Sequence, residues 1–290
     1  MRPQSRCLVR VAGSAAALLF GACYATHHYG RVRETRDAGS GRSLVASLAV
    51  VAGEVLVHRA EPGVLYDLDI RYCRTHFAPK IAQEIAGEGA HLKAGLKRRQ
   101  RPGDTSPARD EHNKVTLALS AETPTDLALD LGVGRHLADL GGLRLRKLRI
   151  TSGKGSMTVS FDRPLLTELE ELRITGGPGR LILRRLGNAS PQAMTLSVAS
   201  GVFEIDLGGE WRRDADIDLQ VALGDVSLRL PRALNVELHA PERDEGDLRL
   251  PEFLRDDAGV YRGPGYRRAG PRIAVHIADG LGFVEAVIED

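Results

Sequence analysis

The sequence predicts an all-β protein, a stacked-strand β-solenoid built from glycine-cornered repeats of about 22 residues. Three observations predict it. A glycine returns at Gly134, Gly155, Gly179, Gly201, Gly224 and Gly246, with gaps of 21 to 24 residues, and outlying copies stand at Gly53 and Gly282. Apolar residues alternate with polar or small ones on both sides of these glycines. Ile217, Leu219 and Val221 precede Gly224, and Val226, Leu228 and Leu230 follow it. That is the period of two of a half-buried strand. Finally, 32 glycines, 14 prolines and an aromatic content of 4% suit a turn-rich chain with a thin aliphatic core.

The glycines read as corners. Glycine takes a positive φ at no steric cost and lets another backbone come close. The Gly-x-Gly pairs Gly132/Gly134, Gly153/Gly155 and Gly177/Gly179 fit that reading. Each unit is then strand, corner, strand, turn. One such unit cannot bury its apolar face alone, so neighbours must stack. The competing architecture is an antiparallel sandwich whose hairpins happen to be evenly spaced.

Residues 1–22 read as an export signal. Arg2, Arg6 and Arg10 precede the uncharged residues 11–22, a run too short to span a bilayer. Phe20-Gly21-Ala22-Cys23 resembles the bacterial lipobox, which makes Cys23 the lipidation candidate, although leucine is usual where Phe20 stands. Soluble export with cleavage after Ala25 is the alternative. Residues 23–43 read as a polar tether.

Residues 44–119 form an N-terminal β region. It holds a strand–glycine–strand unit pivoting on Gly53 and a strand over 65–74 with Cys73 in the core. Residues 80–86 and 91–97 read as a hairpin around Gly87-Glu88-Gly89, with a short helix over 77–86 as the alternative. Residues 97–114 are a charged loop. Residues 120–290 are the repeat domain, continuous with the first region. An insertion from 251 to 271 interrupts it. Tyrosine and arginine concentrate binding energy at interfaces, so Tyr261, Arg262, Tyr266, Arg267 and Arg268 make a candidate binding loop. The rival reading is that the aromatics cover an open sheet edge.

No residue presents a catalytic signature. Gly153-Lys154-Gly155-Ser156 lacks the spacing of a phosphate loop, and no Gly-x-Ser-x-Gly, Cys-x-x-Cys or His-x-x-x-His occurs. Asp214, Asp216 and Asp218 share one strand face beside Arg212 and Arg213. They offer a cation site or an acid/base pair, set against a solvated face paired with arginines. Trp211 reads as a turn aromatic over a coil end. The formal charge of +2 owes its excess to the arginines of the export signal, so nothing suggests nucleic acid. No catalytic residue, metal or cofactor is expected.

Asp126-Leu127-Ala128-Leu129-Asp130-Leu131-Gly132-Val133-Gly134, Leu140-Gly141-Gly142-Leu143-Arg144-Leu145 and Gly153-Lys154-Gly155-Ser156-Met157 resemble bacterial toast-rack type envelope domains. These are β-solenoids related to adhesin-like domains and to the C-terminal domain of LiaF. Residues 217–231 and 273–284 match in style. At Gly134 the family's usual acidic follower is replaced by Arg135-His136. The resemblance implies a non-enzymatic exported envelope protein, membrane-anchored through Cys23 or else soluble outside the cell, that binds, adheres or assembles. Its partner would be another envelope protein or a polysaccharide. An accessory domain of an envelope-stress signalling system is the alternative. A polysaccharide hydrolase is a third, resting only on the Asp214–Asp218 row.

Overall fold

The computed structural model describes residues 28–40, 42–86, 89–99, 112–241, 247–266, 270–278 and 281–290. The protein is all-β. The central strands are β8 (Thr125–Asp139), β9 (Leu145–Ser152), β10 (Gly155–Ser160), β11 (Glu171–Gly176), β12 (Gly179–Arg184), β13 (Ala193–Asp206) and β14 (Ala215–Pro231). They form two walls that meet at a corner. The stretches before each corner glycine pair in parallel as β8–β9–β11–β13–β14. Those after it pair as β8–β10–β12–β13–β14.

The register follows the sequence pattern. Gly134, Gly155, Gly179, Gly201 and Gly224 are paired in one column. Inside the first wall, Leu129, Ile150, Ile174, Leu196 and Leu219 are paired in a row. Inside the second, Ala138, Val159, Leu183, Ile205 and Leu228 do the same. All ten are buried. The alternation of the pleat thus turns each repeat into one layer of core. The return loops close the third side with Leu140, Phe161, Leu165, Leu186, Leu207 and Trp211. The Trp211 Nε1–H donates to the Leu207 carbonyl at 2.7 Å. Buried Asn188 donates to the Phe161 carbonyl at 2.7 Å and accepts from the Glu210 amide at 3.0 Å, tying three successive loops together.

The ends depart from sequence order. At the amino end are β1 (Tyr29–Asp37), β2 (Ser43–Ala52), β3 (Glu54–Arg59), β4 (Val64–Cys73), β5 (Phe77–Ala86), β6 (Gly89–Arg98) and β7 (Lys114–Leu119). The β2–β3 unit lies directly against β8, and β6 and β7 lie outside it. β5 then pairs antiparallel with β6, so residues 77–86 are strand and not helix. β4 pairs antiparallel with β7, and β1 with β4. The segment expected to be a tether is therefore an edge strand from Tyr29 onward. Its fixed pairs are Arg31 to Asp69 at 2.8 Å and Arg33 to Asp67 at 2.6 Å.

At the carboxyl end are β15 (Val236–His239), β16 (Leu248–Arg249), β17 (Leu254–Arg255), β18 (Tyr261–Arg262), β19 (Ile273–Ile277) and β20 (Leu281–Glu289). The expectation of layers stacked in chain order is corrected here too. β19 and β20 pair directly with β14, and β15 and β16 lie outside them. The last unit of the chain sits inside the one that precedes it.

Candidate functional site

The corner glycines stand in one column. Gly53, Gly134, Gly155, Gly179, Gly201 and Gly224 have φ between +136° and +153°, a region that side chains avoid. A Cβ at any of the last five would fall on the carbonyl oxygen of the glycine before it in the column. Both conformation and space therefore demand glycine. Gly282 stands on Gly224. Gly246 and the lipidation candidate Cys23 lie outside the described residues.

Asn113 caps the column, and no periodic signal marks it in the sequence. It is buried over Gly53. Its side-chain oxygen accepts from the Cys73 amide at 2.9 Å, and its Nδ2–H donates to the Ala52 carbonyl at 3.1 Å. Its own carbonyl accepts from the Glu54 amide at 2.8 Å. Only an asparagine-like amide supplies both side-chain roles. Cys73 is fully buried, as expected of a core residue.

The insertion is an ordered cover on the outer edge of the first wall. β18 pairs antiparallel with β15 and β17 with β18. Arg262 lies 2.6 Å from the Asp256 carboxylate and 4.5 Å from the centre of the Tyr266 ring. Arg255 lies 5.6 Å from the centre of the Tyr261 ring. The Val260 amide, with Arg262 and the Ala258 amide, holds the Asp256 carboxyl below its usual range. Phe253 and Tyr261 pack against the core. Tyr261, Arg262 and Tyr266, which the sequence offers to a partner, thus each have a neighbour within the insertion. Arg267 and Arg268 lie outside the described residues.

The aspartate row lies beside a second polar cluster. Asp218 is paired with His276, and His276 with His239. The two imidazoles stack with centroids 4.6 Å apart. The half-buried face also holds Glu237, which accepts from Arg272 at 2.6 Å and contacts His239 at 3.3 Å. The Arg272 amide donates to Asp214 at 2.8 Å. The row is thus answered by an arginine from the neighbouring layer. Among the described residues no group of three or more His, Cys, Asp or Glu is placed to hold a metal ion. His239 and His276 escaped sequence reading because they stand 37 residues apart and meet only through the displaced last unit.

What this architecture supplies is repetition. The outer face of the first wall sets Arg149, Arg173, Thr195, Asp218, His276 and His239 on successive neighbouring strands. Such rows fix many polar groups at the strand spacing of about 4.8 Å.

Residues 30–180 match the model of the N-terminal domain of toast_rack, DUF2154. Among curated proteins none matches. Among solved structures, a proposed cell adhesion protein of Clostridium sporogenes is 14% identical, covering 90% of this chain and 100% of its own at a TM-score of 0.44. A proposed adhesin of Bacteroides fragilis is 13% identical, covering 89% and 97% at 0.41. A proposed lipid-binding protein of Parabacteroides distasonis is 11% identical, covering 90% and 98% at 0.44. Likenesses this loose bear no argument about ligands.

Proposed function

The chain belongs to the family of the toast_rack N-terminal domain, and from that premise we propose an exported, non-enzymatic cell-envelope protein. In this reading it is a lipoprotein held by Cys23. Its body is a β-solenoid of about 22-residue turns in which residues 44–119 and 120–290 are one continuous stack. Its outer walls bind or assemble with another envelope protein or a polysaccharide. The export signal in residues 1–22 supports the location.

One observation carries the binding role: the in-register polar row from Arg149 to His239 on the first wall. Ordering a flexible surface on a partner costs conformational entropy. A row already fixed by parallel pairing is spared that cost. Its regular spacing suits an extended polymer or the edge of another sheet.

Two measurements test this. Intact mass of the membrane-fraction protein should show a diacyl or triacyl adduct on a chain beginning at Cys23. A chain beginning at Thr26 without adduct overturns the anchor. Arg149→Ala with Arg173→Ala should weaken retention on isolated envelope polysaccharide while the protein keeps its strand content and a single cooperative unfolding transition. Unchanged retention of both proteins, or no retention of either, overturns the polysaccharide reading of that row.

A further inference from the structure

The outer face of the second wall carries an unusual row beside the corner. Reading across neighbouring strands from β1 to β12, the positions are Arg31, Arg71, Lys114, Glu54, Arg135, Ser156 and Arg180. Lys154 stands at the corner next to Ser156, and these cations are exposed. Seven strands span about 29 Å. Arg31, Arg71 and Lys114 face one another directly, and like charges opposed across a sheet cost stability. Among the described residues three carboxylates answer the six cations. Asp69 lies 2.8 Å from Arg31 and 3.7 Å from Arg71, Glu54 lies 3.5 Å from Lys114, and Glu204 pairs with Arg180. Further along, the row turns acidic at Asp225. On the other flank of the same corner, Lys97 and Arg99 line an open groove of about 720 Å³ with Val51 and Asp130. The amino end of the corner is thus a basic ridge on both flanks.

We propose that this ridge lies against the anionic headgroups of a membrane. The position of the amino terminus chooses this partner. β1 begins at Tyr29, paired with Cys73 at the corner end of β4, and Tyr29 is 48% exposed. Cys23 lies six residues earlier, which is about 20 Å of extended chain. A lipid on Cys23 therefore brings the basic end of the stack, and not the carboxyl end, to the bilayer. The inference rests on the lipid anchor proposed above. A hydrophobic anchor and a cationic patch together hold a protein at a membrane more firmly than either alone, and each cation near an anionic leaflet adds to the attraction. Exposed Tyr29 suits the interfacial zone, where tyrosine is enriched.

The test separates the ridge from the anchor by using residues 23–290 with Cys23→Ser, which takes no acyl group. Co-sedimentation should favour phosphatidylglycerol–phosphatidylcholine vesicles over phosphatidylcholine alone, with the preference shrinking at high salt. Arg135→Glu with Arg180→Glu should weaken anionic-vesicle binding by about tenfold or more. Arg229→Glu with Arg249→Glu, the same charge change at the carboxyl end, should leave it in place. Equal binding to both vesicle types overturns the proposal, whatever the variants do. So does equal loss in both variants, or capture by soluble polyphosphate without capture by vesicles. Absence of an adduct in the intact-mass experiment would remove the anchor and leave this measurement standing.

Discussion

Gly224 is paired directly with Gly282, although Gly246 stands between them in the chain. The last unit is therefore held on both sides, by β14 and by β15 with β16. Ile273, Val275 and Ile277 from β19 and Val284 and Ala286 from β20 are among its buried side chains.

This arrangement predicts a specific pattern of local opening. Ala286→Asp puts a charge in the core and should loosen the last unit. Hydrogen exchange should then rise in β14 at residues 223–229, which lose their pairing partner, as well as in β15. In a stack that followed chain order, β14 would keep its protection. Protected β14 amides in this variant would contradict the observed order.

The glycine column predicts a ranking. Gly201→Ala or Gly224→Ala combines a disfavoured φ with a clash on backbone, and should cost more than about 2 kcal/mol. Gly63 has φ +81° with open space around it, so Gly63→Ala should cost about 1 kcal/mol. Gly39 has neither constraint, and Gly39→Ala should stay within about 0.5 kcal/mol. Urea unfolding of the four variants checks the order.

Asn113→Ala should destabilise by about 2–3 kcal/mol, because it orphans the buried Cys73 amide and Ala52 carbonyl together. Asn113→Asp keeps the acceptor, loses the donor and adds a charge, so it should be no better than alanine at neutral pH and should recover in part as the carboxyl is protonated. Melting temperatures across pH distinguish the two.

Acid should weaken the amino-terminal edge in a defined direction. The Arg33 guanidinium, and then the Thr35 hydroxyl, hold the Asp67 carboxyl below its ordinary value of 3.8. A carboxyl depressed in the folded state adds stability that is full above its unfolded value and is lost as pH falls through the folded one. Glu171 behaves alike, held below 4.5 by Arg149 and then Arg173. Asp67→Asn should therefore lower stability at neutral pH and flatten the loss below about pH 4. An unchanged acid limb in that variant would assign the sensitivity elsewhere.

The sequence by itself determined the layer. Period-two alternation around Gly155, Gly179, Gly201 and Gly224 states which side chains enter the core and where the chain turns. Both follow from local geometry, namely the pleat and the glycine-only φ. It also located Cys73 in the core. Tertiary structure alone decided the order of the layers at each end, because any layer of this kind offers its neighbour the same backbone edge and the same aliphatic rows. Asn113 over Gly53, the stacked His239 and His276, and the basic row from Arg31 to Arg180 all depend on that order. Asn113 and Gly53, and His239 and His276, are far apart in the chain and share no periodic signal. In the basic row Glu54, Arg135, Ser156 and Arg180 each follow a corner glycine, but Arg31, Arg71 and Lys114 join them only once the end strands have found their partners.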